Sequence, residues 1–260
     1  MQDRKSGNQT RQPIENTRNI RLTVAFEGSA YHGWQIQNDA PTVQGLLSGA
    51  IAKITGEKVK LTGSGRTDAG THARGLVANF HTGSRIEPGQ ILRALNRLLP
   101  RDIRVLSARR VNLKFHARKD AVSKVYRYQI YLGRVLPPHM MQEHFHYPYP
   151  INILQMARAS GLFLGEHDFA SFAKTNSSAS TTIRRIFRCE LKKQGRRLLL
   201  TVEGNGFLHH MVRNMAGTLL EVGRGSISFP DFQDLFAKRD RTLAGFTAPA
   251  HGLILLKVKY

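Results

Sequence analysis

Twice along this chain the hydrophobic pattern runs in the same order (strand, helix, strand, strand, helix, strand), and that order admits few folds. In the first stretch Ile20-Arg21-Leu22-Thr23-Val24-Ala25-Phe26 alternates with the two-residue period of a half-buried strand. Thr42 can cap a helix carrying Val43, Leu46, Leu47, Ala50, Ile51 and Ile54 on one face. Strand patterns over 59–62 and 76–80 follow. A helix is expected over 88–98 with Ile91, Leu92, Leu95 and Leu98 inward, then a strand through Ile103-Arg104-Val105-Leu106. The second stretch offers a strand over 123–132 and a helix over 151–163 with Leu154, Ala157 and Leu162 inward. Next come a hairpin of 184–191 and 198–203 turning at Gln194-Gly195, and a helix over 207–222 closed by Gly223. A short helix near Pro230-Asp231 and a last strand, Leu253-Ile254-Leu255-Leu256-Lys257-Val258, complete the pattern. A β-α-β-β-α-β order is that of a ferredoxin-like unit. The expected fold is therefore α+β, with two ferredoxin-like halves, 19–122 and 123–260, sharing one sheet. Residues 1–18 are polar and aperiodic, contain Pro13, and read as a disordered basic tail. Segments 31–41, 134–150, 173–183 and 240–250 read as loops able to wrap a ligand.

Chemistry concentrates between the two middle strands of the first half. Gly63-Ser64-Gly65-Arg66-Thr67-Asp68-Ala69-Gly70-Thr71-His72-Ala73-Arg74-Gly75 packs a carboxylate, two arginines, a histidine and four glycines into a single connection. Glycines at this density allow tight turns and close approach of a ligand to the backbone. Asp68, mid-loop and two positions from Arg66, is placed as a poised anion would be. The dinucleotide fingerprint fails because Asp68 stands at its sixth, glycine, position. The phosphate-binding P-loop fails because Thr71-His72, with no lysine, follows Gly70. A hairpin turn in which Asp68 only caps the backbone stays open on local chemistry.

Composition narrows the partner. Lys and Arg number 39 against 18 Asp and Glu, a formal charge of +21, with a pI near 10.8. Such a chain is drawn to a polyanion, nucleic acid or anionic membrane. No apolar run reaches the ~18 residues a membrane span needs. The first residues lack the apolar core of a secretory signal, so a cytoplasmic protein is expected. Cys189, the only cysteine, excludes an internal disulfide and a cysteine-based zinc cluster and reads as a partly buried strand residue. Positive charge clusters at 101–134, where ten Lys/Arg face Asp102 and Asp120, and at 183–197, where seven face Glu190. Two such runs are read as a phosphate-tracking surface. Tyr126, Tyr128 and Tyr131 interleave with the first, as base stacking requires.

The loop also carries a resemblance. Gly65-Arg66-Thr67-Asp68-Ala69-Gly70-x-His72 is similar to the catalytic loop of the tRNA pseudouridine synthase A family. Further similar segments follow in family order. They are Phe26-Glu27-Gly28-Ser29-x-Tyr31-x-Gly33-Trp34-Gln35, Thr42-Val43-Gln44-Gly45 and Phe115-His116-Ala117-Arg118, then Lys124-x-Tyr126-Arg127-Tyr128. The last two are Gly165-x-His167-Asp168-Phe169-x-Ser171-Phe172 and Phe207-x-His209-His210-Met211-Val212-Arg213-Asn214. Together they span about 20–258.

The resemblance implies the pseudouridine-synthase fold, in which the two halves share a curved, mainly antiparallel sheet with a cleft between them. It implies a uridine-to-pseudouridine isomerase acting at positions 38–40 of the tRNA anticodon arm, a homodimer, and no cofactor or metal. Asp68 takes the essential catalytic role, as nucleophile on base or sugar or as a base toward a sugar proton; the sequence leaves all three open. Arg66 and Arg213 are its expected supports, with Arg66 also able to fill the helix when the target nucleotide flips out. Tyr126 is placed against the flipped base and Leu253 near it, with His72 a hydrogen-bonding residue beside the loop. Tyr128, on the same strand face as Tyr126, reads as structural. His139, His144 and His146, and the pair His209-His210, lack metal-site spacing; adjacent helical histidines point about 100° apart. They read as RNA contacts or packing, and Trp34 as packing. The alternative is a non-catalytic RNA-binding or RNA-chaperone protein, which would not need an intact Gly65-Arg66-Thr67-Asp68 loop. A methyltransferase lacks its glycine fingerprint.

Overall fold

The computed structural model describes residues 17–175 and 180–260. The expected tail at 1–16 lies outside them. Ten strands form one sheet: β1 (Arg18–Phe26), β2 (Thr62–Gly63), β3 (His72–Thr82), β4 (Ile103–Val111), β5 (Ser123–Tyr131), β6 (Phe145–His146), β7 (Gly165–Asp168), β8 (Ile183–Gln194), β9 (Arg197–Gly204) and β10 (Leu253–Lys259). Five α-helices accompany it: α1 (Val43–Thr55), α2 (Pro88–Leu98), α3 (Ile153–Gly161), α4 (Met211–Gly223) and α5 (Phe229–Lys238). The first strand begins at Arg18, inside the span read as tail.

The sheet runs β4-β1-β3-β10-β5-β9-β8-β7, with β2 on β3 and β6 on β5. Strands β4-β1-β3-β2 and β10-β5-β9-β8 repeat one order, fourth-first-third-second, the ferredoxin-like order expected. All pairings are antiparallel except β5 with β6 and the seam between the halves. There β10 runs parallel to β3 through Ile254↔His72 and Leu255↔Ala73. Strand β1 occupies one edge of β3, so β2, opposite Asn79 and Ala78, and β10 share its other edge end to end. The loop bearing Asp68 connects β2 to β3 and so emerges where the two halves meet.

Local chemistry explains several boundaries. Thr42 accepts from the Gly45 amide at 3.3 Å to cap α1, and Gly56 closes it in the left-handed region at φ 73°. Pro88 begins α2, where its missing N–H costs nothing, and Gln90 reaches back to the Glu87 amide at 3.2 Å. Helix α2 buries Ile91 and Leu95, but Leu98 is 52% exposed and Leu99 is the residue turned inward. Helix α3 differs from expectation too. It is shorter, leaves Leu154 and Ala157 exposed, and buries Met156, Ala159 and Ser160. Gly223 explains the rotation: a Cβ there would lie 2.7 Å from Met156 Sδ, so α3 docks on α4 through Met156.

Helix α4 begins at Met211, four residues after the expected Phe207. His210, its N-cap, adopts φ 63°, so 207–210 lie outside the helix and end in a turn. The segment 165–172, read only as a motif, supplies β7 and a 3-10 turn whose Phe169 and Phe172 pack with Phe163, Phe232 and Phe236. Cys189 lies half-buried on β8 as a free thiol, pushed up to about 12 by burial. No described helix is long and apolar enough to cross a membrane.

Candidate active site

The loop bearing Asp68 is held from beneath by close backbone approach. Trp34 N–H donates to the Thr67 carbonyl at 3.2 Å, and Gly70 N–H to the Tyr31 carbonyl at 3.2 Å. Gly33, at φ 81°, lies so near that a Cβ would be 2.3 Å from the Thr67 oxygen. A Cβ on Gly63 would fall 2.5 Å from the Trp34 indole nitrogen, which makes the buried Trp34 ring the floor of this turn. Inside the loop, Thr71 N–H donates to the Asp68 carbonyl at 3.1 Å. These contacts fix the aspartate's backbone independently of its side chain.

The Asp68 carboxylate is partly buried and faces the start of α4. Arg213 Nη1 donates to Oδ2 at 2.8 Å. Arg213 Nε donates to the Ala248 carbonyl at 2.7 Å, and Ala248 N–H returns a 3.3 Å bond to the Arg213 carbonyl. The 240–250 loop is itself pinned to α4. Buried Asn214 accepts from Thr247 Oγ1 at 2.7 Å and from Arg241 at 3.1 Å, and Gly217 sits too close to Phe246 for any Cβ. One guanidinium therefore bridges the Asp68 loop and the second half's last loop.

Both histidines before α4 reach the same carboxylate. His209 Nε2 lies 3.3 Å from Oδ1, His210 Nε2 3.5 Å from Oδ2, and the two rings meet edge to face at 4.2 Å. The sequence reading placed them on a helix, pointing apart. They converge because the His210 turn precedes the helix. Burial is the largest influence on His210, holding its imidazole down to about 4; Asp68 pulls upward, while Arg213, His209 and Lys174 push down. His210 is thus neutral at neutral pH, and its contact with Asp68 is polar rather than ionic. Asp68, His209 and His210 present ligand atoms within 4.8 Å of one another, so they are the described residues able to hold a metal ion. Arg213 already supplies positive charge to that carboxylate.

Tyr126 stands beside this cluster. Its phenol is pushed up by burial and then by the charge of Asp68, which places the two in electrostatic contact. Its ring meets Phe207 edge-on at 5.1 Å, and its hydroxyl has no hydrogen-bond partner among the described residues. Tyr128 is the structural member of the pair, fully buried with its hydroxyl on the Pro249 carbonyl at 2.8 Å. Leu253, opposite Tyr128 in the β5–β10 register, is one residue before the Ile254↔His72 pair. That step brings it level with the end of the Asp68 loop.

Two expected residues sit differently. Arg66 is exposed and forms no ion pair or hydrogen bond among the described residues, so it does not support the Asp68 carboxylate as expected. Arg213 does so instead, because α4 aims inward at the carboxylate while Arg66 lies on the loop's solvent side. His72 is 1% exposed and offers no surface to a ligand. Its Nδ1 accepts from the Gly28 amide at 3.0 Å and its Nε2 donates to the His251 carbonyl at 3.0 Å. It is an anchor between the loop, Gly28 and the last strand rather than a binding residue.

A partly buried carboxylate on a glycine-bracketed loop, paired to an arginine across the seam of two ferredoxin-like halves and flanked by a buried tyrosine, is the arrangement that the resemblance leads one to expect of a pseudouridine synthase. Comparison with known proteins agrees. The profile described as tRNA pseudouridine synthase matches residues 22–120 and 159–260. The chain is 43% identical over 243 residues to "tRNA pseudouridine synthase A" of Caldicellulosiruptor saccharolyticus, covering 94% of this chain and 100% of that one. It is 45% identical over 244 residues to the protein of the same name from Citrifermentans bemidjiense, covering 94% and 98%. With the protein of that name from Acetivibrio thermocellus it shares 42% over 243 residues, covering 94% and 100%. The chain belongs to the tRNA pseudouridine synthase family.

Proposed function

We propose that this protein isomerises uridine to pseudouridine at positions 38–40 of the tRNA anticodon arm, with Asp68 as the essential group. The reaction breaks N1–C1′ and forms C5–C1′. A proton leaves C5 and one is gained at N1, so the exchange balances without an external reagent. It needs a carboxylate held rigidly beside a pocket for the turned base. The observation that carries the reading is the Arg213–Asp68 contact at 2.8 Å with Tyr126 alongside. Electrostatic contacts fixed in advance act on charge developing during reaction with little reorganisation. Exposed Arg66, with no partner to release, is free to enter the helix when the nucleotide flips. Tyr126, nearly buried against Phe207, is in position to form part of the wall on which the extruded base rests.

The net charge of +21 supports a polyanionic substrate. A homodimer gripping one tRNA would bring two such basic surfaces to one substrate, and the cytoplasm is where such a substrate is found. Incubating purified protein with an unmodified tRNA transcript, followed by pseudouridine-specific chemical probing, tests the reading. Modification confined to uridines 38–40 supports it; none at those positions rejects it. Light scattering of the purified protein tests the dimer.

A further inference from the structure

Beside the Asp68 loop, two cations, Lys124 and Arg184, border one turn, with Arg118 near enough for its charge to act on Lys124. Alternation along β5 puts Lys124 on the same face as Tyr126, toward the loop. A Cβ built on Gly65 would lie 3.4 Å from Lys124 Nζ, so the ammonium rests directly on the catalytic-type loop. Lys124 pairs in register with Gly204, where β9 ends and the chain turns through Asn205-Gly206 to Phe207, the ring against Tyr126. Arg184 borders the same turn: its Nε would be 3.5 Å from a Cβ on Gly206. Its Nη1 is spent on the Thr181 and Ile183 carbonyls at 2.9 and 2.5 Å, which orient it without neutralising it. Arg118, exposed on the connection between β4 and β5, adds its charge to theirs.

None of the three makes an ion pair among the described residues, whereas neighbouring charges do. Glu203, next on β9, is taken by Ser123 at 2.7 Å and Lys259 at 2.7 Å. Burial first, then Arg118 and Arg184, hold the Lys124 ammonium down to about 8. Partly desolvated like charges are costly to assemble unless an anion joins them. Glycines at 65 and 206 leave the backbone open for one to approach.

We propose that Lys124, Arg184 and Arg118 form a receptor for a single backbone phosphate of the RNA substrate flanking the flipped uridine, and that Lys124 is a positioning residue that seats the nucleotide over Asp68. The proposal rests on the tRNA reading above. A phosphate held two residues along the strand from Tyr126 would fix the ribose while the base turns, which is the step a freely rotating nucleotide would otherwise lose.

The test uses the whole protein and tRNAs ligated so that one phosphate at a time near the target uridine is a neutral methylphosphonate. For wild type, one such position weakens binding or the single-turnover rate by about tenfold, on the order of one charge-assisted contact. K124M shows that same loss on ordinary tRNA and no further loss at that position, while K124R behaves as wild type. K124M should also unfold at an equal or higher temperature, because it removes an unpaired, desolvated cation; a purely structural lysine would lower it. Wild-type affinity should fall as pH rises through about 8, where free Lys124 loses its charge, and K124R should flatten that fall. The facing groups are Arg118 and Arg184, both charged throughout, with Glu203 and Lys259 paired to each other. If every methylphosphonate affects wild type and K124M alike, or if K124M weakens binding to tripolyphosphate and RNA equally without positional dependence, the receptor is rejected. Wild type inactive on every tRNA would reject the functional reading itself.

Discussion

Arg213 and Asp68, 145 positions apart in the chain, meet through a 2.8 Å hydrogen-bonded ion pair that closes the seam between the two halves. The same guanidinium holds the Ala248 carbonyl through Nε at 2.7 Å, so one planar group sets the carboxylate and the last loop together. A lysine, with a single ammonium on a flexible stem, cannot reproduce that two-sided geometry.

R213K should therefore fold but lose most activity. Breaking a partly buried pair of this kind costs roughly 2–4 kcal/mol of stability, toward the lower end here because both groups retain some solvent. Thermal unfolding and single-turnover pseudouridine formation check this. A variant with wild-type rate and Tm would show that the contact is incidental.

Tyr126 separates packing from chemistry. Y126F keeps the edge-on contact with Phe207 and removes only an unpartnered hydroxyl, so stability should change by less than about 1 kcal/mol. Y126A empties a nearly buried site and should cost about 3–5 kcal/mol. Y126F should retain RNA affinity and lose turnover. Equal kinetics for wild type and Y126F would assign the hydroxyl no role.

The loop's foundation is tested at Gly33. An alanine there faces both φ 81° and the Thr67 oxygen at 2.3 Å, so the Asp68 loop must shift. G33A should lose activity out of proportion to any loss of global stability, because a displacement of about 1 Å at a reacting group can cost ~10²-fold in rate. Retained activity would show that the loop tolerates movement.

How much of this was legible in the sequence depended on whether the cause was local. Thr42 with Gly56, and Pro88 with Gln90, place helix ends through neighbours within four residues, and the bounds of α1 and α2 are legible in the sequence. The start of α4 was missed because the His210 turn is imposed from outside the segment, where the His209 carbonyl accepts from Lys174 N–H at 2.9 Å and both imidazoles meet Asp68. A helical pattern beginning at Phe207 carries no sign of that. The inward faces of α2 and α3 were misjudged at Leu98 and Leu154 because helix rotation is decided by partners such as Gly223. Family resemblance pointed to the Arg213–Asp68 pairing; periodicity did not. Arg66 stands two residues from Asp68 in sequence, yet it is exposed while the Asp68 carboxylate faces Arg213, an orientation that loop spacing alone does not give.

His210 predicts an acid limb in stability. Its folded value, about 4, lies below the ordinary 6.5, so between these the unfolded state binds more protons. Its contribution is complete above pH 6.5 and is lost as pH falls toward 4. At 1.36 kcal/mol per unit the loss is at most about 3 kcal/mol, reduced by partial exposure. His144 and His251 are shifted in the same direction, chiefly by burial, so the informative quantity is the difference between wild type and H210Q. That difference should change between pH 6.5 and 4 and be constant above. A pH-independent difference would contradict a neutral, desolvated His210.

The central claim is that Asp68 does the chemistry, and D68N tests it most directly. Asparagine preserves the shape and can still accept from Arg213, but it cannot act as nucleophile or base. Single-turnover pseudouridine formation and tRNA affinity should be measured on the same preparation. Affinity should stay within about threefold, while the rate falls by roughly 10⁴-fold or more, as for loss of one essential catalytic group. A D68N rate within about tenfold of wild type would contradict the assignment.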